Sequence, residues 1–382
     1  MTTAQQTAGG PSADRTPDRT GLVFTAWSAV SPYGVGSEPY REGVLAGRPA
    51  VRALDGEQHP GPFREAGLIP DFSAAKYVGR KGTRSMDRVT AITVTAVGRL
   101  LADCGPELTE RPEQIGLVLG TGSGSVQSTM DFTKGSFTGE RPYHVEPAHF
   151  PNAIMNRAAG QSAIWHGLKG PNTTVTGGRL AGLLALSYAA RLHRGGHCAR
   201  VLCGAAEEYS EQRAWLEWHG RVGEDRTTAL GEGASVCLLE RAQDALESGR
   251  TPLARLLGTG FRSFAERGDA RGALAACVRD ALDRAGVRPG DVVLIAPLGA
   301  GDGLDTVEEQ ALAEVLGPGA GPEWIRCRPL LGDTAGAATG LQLAAVLARA
   351  ELGGLAPDGV ALVTGIERDG LVGCAVVGGW AR

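Results

Sequence analysis

The sequence predicts an α/β layered fold, and two observations carry that prediction. Strands that read as apolar on both faces alternate with buried helices along most of the 382 residues. One unit, a strand running through a glycine-rich loop into a buried helix, recurs in both halves and points to an internal structural duplication.

The elements follow in order. MTTAQQTAGGPSADRTPDRT is polar, holds Pro and Gly and has no apolar run, so residues 1–20 are expected to be a disordered tail rather than a signal peptide. Gly21–Gly36 is a strand followed by a Ser-Pro turn. Ser85–Leu101 has apolar residues at helical spacing. Ile115–Ser125 is a short buried strand entering a glycine-rich loop. Thr129–Phe137, a Pro/His-rich stretch Tyr143–Pro151 and the amphipathic Asn156–His166 come next. Thr173–Leu192 is a strand, an elbow and a helix; Ala199–Glu208 and Gly231–Arg241 are strands. In the second half Ala273–Gly286 is a helix, Asp291–Gly303 a strand, and Asp305–Gly317 a helix. Leu330–Gly353 is a second loop into a buried helix, and Gly359–Gly365 and Leu371–Gly379 are closing strands. The expected organisation is a first half over 21–245 and a second over 246–382.

Composition excludes several classes of function. With 42% hydrophobic residues, 21% charged residues and a net charge of -4, the chain has no electrostatic footprint for nucleic acid and no basic stripe for a membrane surface. Its longest apolar run, around Leu180–Ala190, is far short of a bilayer span. Seven scattered cysteines without a CxxC pair suit reduced thiols in a cytoplasmic protein. His and Cys never cluster at ligand spacing, and His193 and His197 read as a solvated helix end, so no metal and no cofactor is expected.

Within Thr173–Leu192, the stretch VTGGRLAGLLAL (Val175–Leu186) has the form of a strand end, a glycine hinge and a helix start. Such an elbow usually presents a nucleophile, because the helix N-terminus lowers a thiol pKa. Here it presents Arg179, a poor one.

Taken together, SAVSPYGVG, SMDRVTAITVTAV, LGTGSG, AAGQSAIWHGLKGP, the elbow, GEGASVCLLE and GDTAGAATGLQLA resemble the β-ketoacyl synthase family, in family order, over nearly the whole chain from Gly21. The resemblance implies a thiolase-like, five-layered αβαβα fold with two pseudo-duplicated halves. It also implies a catalytic set of one elbow cysteine and two histidines. On the matching positions this chain has Arg179 for the cysteine, Pro297 for the first histidine and Asp333 for the second; Arg328 stands where a lysine is usual. The last histidine in the chain is His219, so the C-terminal half holds none under any register. The glycine-rich loop that would supply an oxyanion amide reads TGIERDGLVG (Thr364–Gly373).

A retained scaffold with erased chemistry resembles the chain length factors, or ketosynthase β subunits, of type II polyketide synthases. These have glutamine at the elbow where this chain has arginine. The resemblance implies a catalytic ketosynthase α subunit as heterodimer partner, an acyl carrier protein delivering the growing chain, and a tunnel whose depth is set by bulky side chains. The matching segment is Met130–Phe137; if helical, it puts Met130, Thr133 and Phe137 on one face. That face is expected to line the tunnel, the alternative being that Met130 and Phe137 are core.

A buried arginine at a helix N-terminus needs a neutralising partner. Asp333, at the second histidine's position, is the expected one, forming a structural ion pair that fills the inactive site; Glu367 is the alternative acceptor. Two further readings of Arg179 stay open, a solvated side chain and a holder of a carboxylate or phosphate. Two rival functions also stay open. One is an active acyltransferase or thiolase-like enzyme using Cys203 or Cys327; the other is a homodimeric acyl-binding protein.

Overall fold

The apolar runs become the ten main strands of one sheet, whose two halves repeat each other; the short Gly34–Val35, paired with Val30–Ser31, is its eleventh. The computed structural model describes residues 20–221, 228–317 and 321–381. The expected tail, apart from Thr20, lies outside the described residues. In the first half, β1 (Leu22–Ser31), β2 (Ile115–Thr121), β3 (Asn172–Thr176), β4 (Arg200–Glu207) and β5 (Gly233–Arg241) stand in the order β1-β5-β4-β2-β3. In the second, β6 (Ala254–Ser263), β7 (Val292–Pro297), β8 (Glu323–Trp324), β9 (Val360–Glu367) and β10 (Leu371–Gly379) stand in the order β6-β10-β9-β7-β8. The two orders match strand for strand. So do the pairings: antiparallel from the first strand to the third in each row, parallel beyond it. The halves meet where β1 pairs antiparallel with β6, Leu22 opposite Leu256 and Phe24 opposite Ala254.

Helices complete the five layers. On one outer side α1 (Arg88–Cys104) packs on β1 and β5, beside α3 (Arg157–His166). On the other, α6 (Ala270–Ala285) packs on β6 and β10, beside α7 (Leu304–Leu316). Between the two halves of the sheet lie α4 (Ala181–Arg194) and α8 (Ala338–Glu351). Two more helices, α2 (Val126–Thr138) and α5 (Glu211–Gly220), sit over the loops at the strand ends. This is the thiolase-like αβαβα layering with two duplicated halves.

Local chemistry sets the boundaries. Helix α1 begins at Arg88 rather than Ser85 because the Asp87 carboxylate accepts the Thr90 N–H at 2.9 Å and its hydroxyl at 2.8 Å, a side-chain N-cap. The run Asp291–Gly303 is strand only to Pro297, since Gly299, Gly301 and Gly303 turn the chain at φ 58°, 73° and 77°. Helix α8 is apolar almost all round because it is buried without a break from Thr339 to Ala348. It crosses α4 at near backbone contact: a Cβ on Gly182 would lie 2.5 Å from the Gly340 nitrogen. Any larger residue at Gly182 would force the two central helices apart.

Candidate functional site

The elbow is built by its glycines. Gly178 adopts φ 55°, and a Cβ there would lie 2.3 Å from a Glu367 oxygen, so only glycine fits. A short turn, Gly178–Leu180, then delivers the chain into α4 and holds Arg179 at 8% exposure. The second half repeats this device: the loop carrying Asp333 runs through the turn Ala335–Ala337 into α8. Arg179 and Asp333 thus lie ahead of equivalent helices, and the structure brings them together. The guanidinium grips Asp333 with both prongs, Nη2 to Oδ2 at 2.7 Å and Nε to Oδ1 at 3.3 Å.

Glu367, at the end of β9, joins the same cluster. Its Oε1 lies 3.3 Å from Arg179 Nη1, and its other oxygen accepts the Arg179 backbone N–H. Both carboxylates considered from the sequence therefore meet the arginine. Two further residues complete the arrangement. Arg221, 1% exposed, donates from Nη2 to Asp333 Oδ2 at 2.7 Å and from Nε to Glu217 Oε2 at 2.9 Å. Glu217 in turn lies 3.8 Å from Arg179 Nη2, and Arg328 Nη2 lies 3.9 Å from Asp333 Oδ2.

These contacts resolve the conflict between a cation and the positive end of α4. Glu367 on the Arg179 amide and Asp333 on the Ala335 N–H, at 3.0 Å, put negative charge at the start of both central helices. Burial pushes the Asp333 carboxyl up, but the Arg179 and Arg221 guanidiniums outweigh it and hold the group well below the usual carboxylate range. Burial likewise works against the Arg179 charge, and Asp333 more than offsets it, so its pKa is raised. Thr339 crosses between the halves, its hydroxyl donating to the Arg179 carbonyl at 3.0 Å and accepting the Leu183 N–H at 3.2 Å. A solvated Arg179 does not match this burial.

Little space is left for a reacting group. The cavity bordered by Arg179, Leu298, Cys327, Arg328, Asp333 and Gln342 measures about 10 Å³, room for one water at most. Pro297 closes β7 opposite Thr364 and offers no acid or base. Cys203 is 1% exposed inside β4, with the Cys237 sulfur 3.4 Å away. Burial pushes the Cys327 thiol up to about 12, so it is not a thiolate near neutrality. Among the described residues no group of three His, Cys, Asp or Glu could hold a metal ion, and no helix is long and apolar enough to cross a membrane.

Met130, Thr133 and Phe137 share the outer face of α2. All three are exposed in the isolated chain, Phe137 at 84%, so neither Met130 nor Phe137 is core. Tyr143, Phe150, Ile154, Met155 and Ile164 are exposed as well, and Phe150 lies against Phe132 of α2 with ring centroids 5.7 Å apart. Sequence reasoning missed Arg221 and Glu217. Their i, i+4 spacing at the end of α5 was the one legible sign.

Comparison with known proteins follows from this geometry. Residues 21–245 match the β-ketoacyl synthase N-terminal domain and residues 255–358 its C-terminal domain. Among solved structures, the ishigamide ketosynthase/chain length factor superposes with a TM-score of 0.84 at 39% identity, covering 94% of this chain and 99% of that one. The tetracenomycin polyketide synthase ketoacyl synthase beta subunit of Streptomyces glaucescens is 29% identical over 79% of this chain and 78% of its own. The 3-oxoacyl-[acyl-carrier-protein] synthase 2 of Rhizobium meliloti (strain 1021) is 28% identical over 78% of each chain.

Proposed function

This chain belongs to the β-ketoacyl synthase family, and from that premise we propose that it is the non-catalytic, chain-length-determining subunit of a type II polyketide ketosynthase heterodimer. The observation that carries this reading is the elbow itself. Where a nucleophile would stand, Arg179 is locked between Asp333 and Glu367 with no room for an acyl thioester. Similarity to a ketosynthase/chain length factor and to a ketoacyl synthase beta subunit supports it further.

In this reading an α subunit performs the decarboxylative condensation and an acyl carrier protein brings the chain. The exposed face of α2 is then the surface that the α subunit covers, and Met130, Thr133 and Phe137 close the tunnel at the shared interface. An uncovered Phe137 is costly in water, roughly 1.5–3 kcal/mol of burial left unused. The isolated chain should accordingly self-associate.

Co-expression with a type II ketosynthase α subunit tests the proposal. The two chains should co-purify, and the pair should make polyketide while this chain alone transfers no acyl group. Phe137→Ala should lengthen or blur the product distribution at unchanged complex yield. Acyl transfer by the chain alone would overturn the reading, and unchanged product lengths would remove Phe137 from the tunnel.

A further inference from the structure

Beside the elbow lies a second set of buried charges that the proposed function does not use. Glu207 ends β4 and Glu208 follows it; they are 2% and 1% exposed. Glu208 Oε1 accepts the Ser125 hydroxyl at 3.1 Å and the Gln127 N–H at 3.2 Å, both at the N-terminus of α2. Its Oε2 accepts the Val89 N–H at 3.3 Å, in the first turn of α1. Glu207 Oε2 accepts the N–H groups of Gly122, at 2.8 Å, and Gly336, at 3.2 Å; its Oε1 is buried with no hydrogen-bond partner.

We propose that Glu208 is a positioning residue for α2, fastening its N-terminus to β4 and α1, so that ionisation of this carboxyl loosens the helix that carries Met130, Thr133 and Phe137. The effect on products rests on the tunnel reading above; the fastening does not.

The surroundings make the charged form costly. Among the described residues neither Glu207 nor Glu208 has an ion-pair partner. Asp87 faces Glu208 from the start of α1, with Arg157 of α3 near that aspartate. Glu217 of α5 adds negative charge toward Glu207. Of the nearby cations, Arg88 grips Glu232 and also faces Glu208, and Arg213 of α5 donates to the carbonyls of Glu208, Gly231 and Asp333 while its charge favours the ionised form of Glu207; neither outweighs burial. Burial pushes Glu208 up to about 7, with Asp87 and Glu207 adding to it against the Gln127 and Ser125 hydrogen bonds; burial pushes Glu207 up to about 6.

The sign follows from linkage. With α2 docked, the neutral form of Glu208 is favoured; with α2 lifted, the carboxyl meets water and returns to its ordinary range. Docking is therefore complete below that ordinary range and weakens as pH rises through the docked value. Between about pH 6 and about pH 8.5 the docking equilibrium should fall about ten-fold.

Hydrogen exchange over residues 126–138, corrected for intrinsic rates, reads this directly in the full chain within its ketosynthase complex. Wild-type α2 should lose about ten-fold protection across that range, whereas Glu208→Gln, which mimics the neutral acid, should stay protected at both ends. Ser125→Ala keeps the carboxyl but removes one donor to its charged form, so the loss should be larger and extend to higher pH; because it also removes the cap on the Ser128 N–H, its pH dependence rather than its level of protection is compared, and this variant serves if Glu208→Gln does not fold. Equal, pH-independent protection in wild type and variants would overturn the proposal. If protection shifts as stated while product lengths do not, the fastening stands and the tunnel reading fails.

Discussion

Asp333→Ala should destabilise the protein by about 3–5 kcal/mol, because it strands two buried guanidiniums at once. Arg179 and Arg221 both hold Asp333 Oδ2 at 2.7 Å, and neither can turn to solvent from 8% and 1% exposure. Among the described residues Glu367 and Glu217 remain beside Arg179 and Arg221, and neither approaches the two guanidiniums as closely as Asp333 does on both at once. Folded domains hold only about 5–15 kcal/mol in reserve, so this one side chain governs a large share. Urea unfolding at neutral pH measures it; a loss under about 1 kcal/mol would show that the cluster rearranges around the gap. The double change Arg179→Met with Asp333→Leu should cost less than Asp333→Leu alone, since Arg221 still loses Asp333 but Arg179 no longer does. Acid should act in the same direction as the alanine. The Asp333 carboxyl is held below the usual range, so its contribution is present above the ordinary carboxylate pKa and is lost as pH falls through the folded value.

Arg179→Cys restores the elbow thiol and should restore no condensation. A thiol there would find no histidine in the C-terminal half, because none follows His219. General acid–base groups contribute roughly 10²–10⁴-fold each, and nothing within the site replaces them. The thiol would also face Asp333 and Glu367 with their main counter-charge removed, which raises rather than lowers its pKa. Expected, then, are a destabilised chain and no acyl transfer from an acyl-thioester donor. A burst of acyl-enzyme formation would sink this account of the site.

Strand and helix order were legible because each element carries its own period, and the repeat of strand, glycine loop and buried helix reports directly on the duplicated topology. The meeting of Arg179 with a carboxylate was legible for a different reason: a buried cation at a helix start has no other way to be stable. Its full surroundings were not legible. Arg221 reaches Asp333 across 112 positions of sequence, and only the packing of α5 against the second half brings them together. Glu208 was hidden as the last residue of an apolar strand reading, although the loop it holds was recognised. The exposure of α2 was also beyond reach, since an i, i+3, i+7 stripe looks the same facing a core or facing solvent.

The cross-half pair has one more consequence. Arg179 and Asp333 come from opposite halves, and each finds its closest counter-charges across the divide, with only a 3.8–3.9 Å contact to a charge of its own half. A nascent chain whose halves dock out of register loses the close pairing of both charges, which costs several kcal/mol where they stay buried. The charged elbow should therefore work as an error check on assembly: it favours a single docking of the two halves and penalises near misses that apolar packing alone would tolerate.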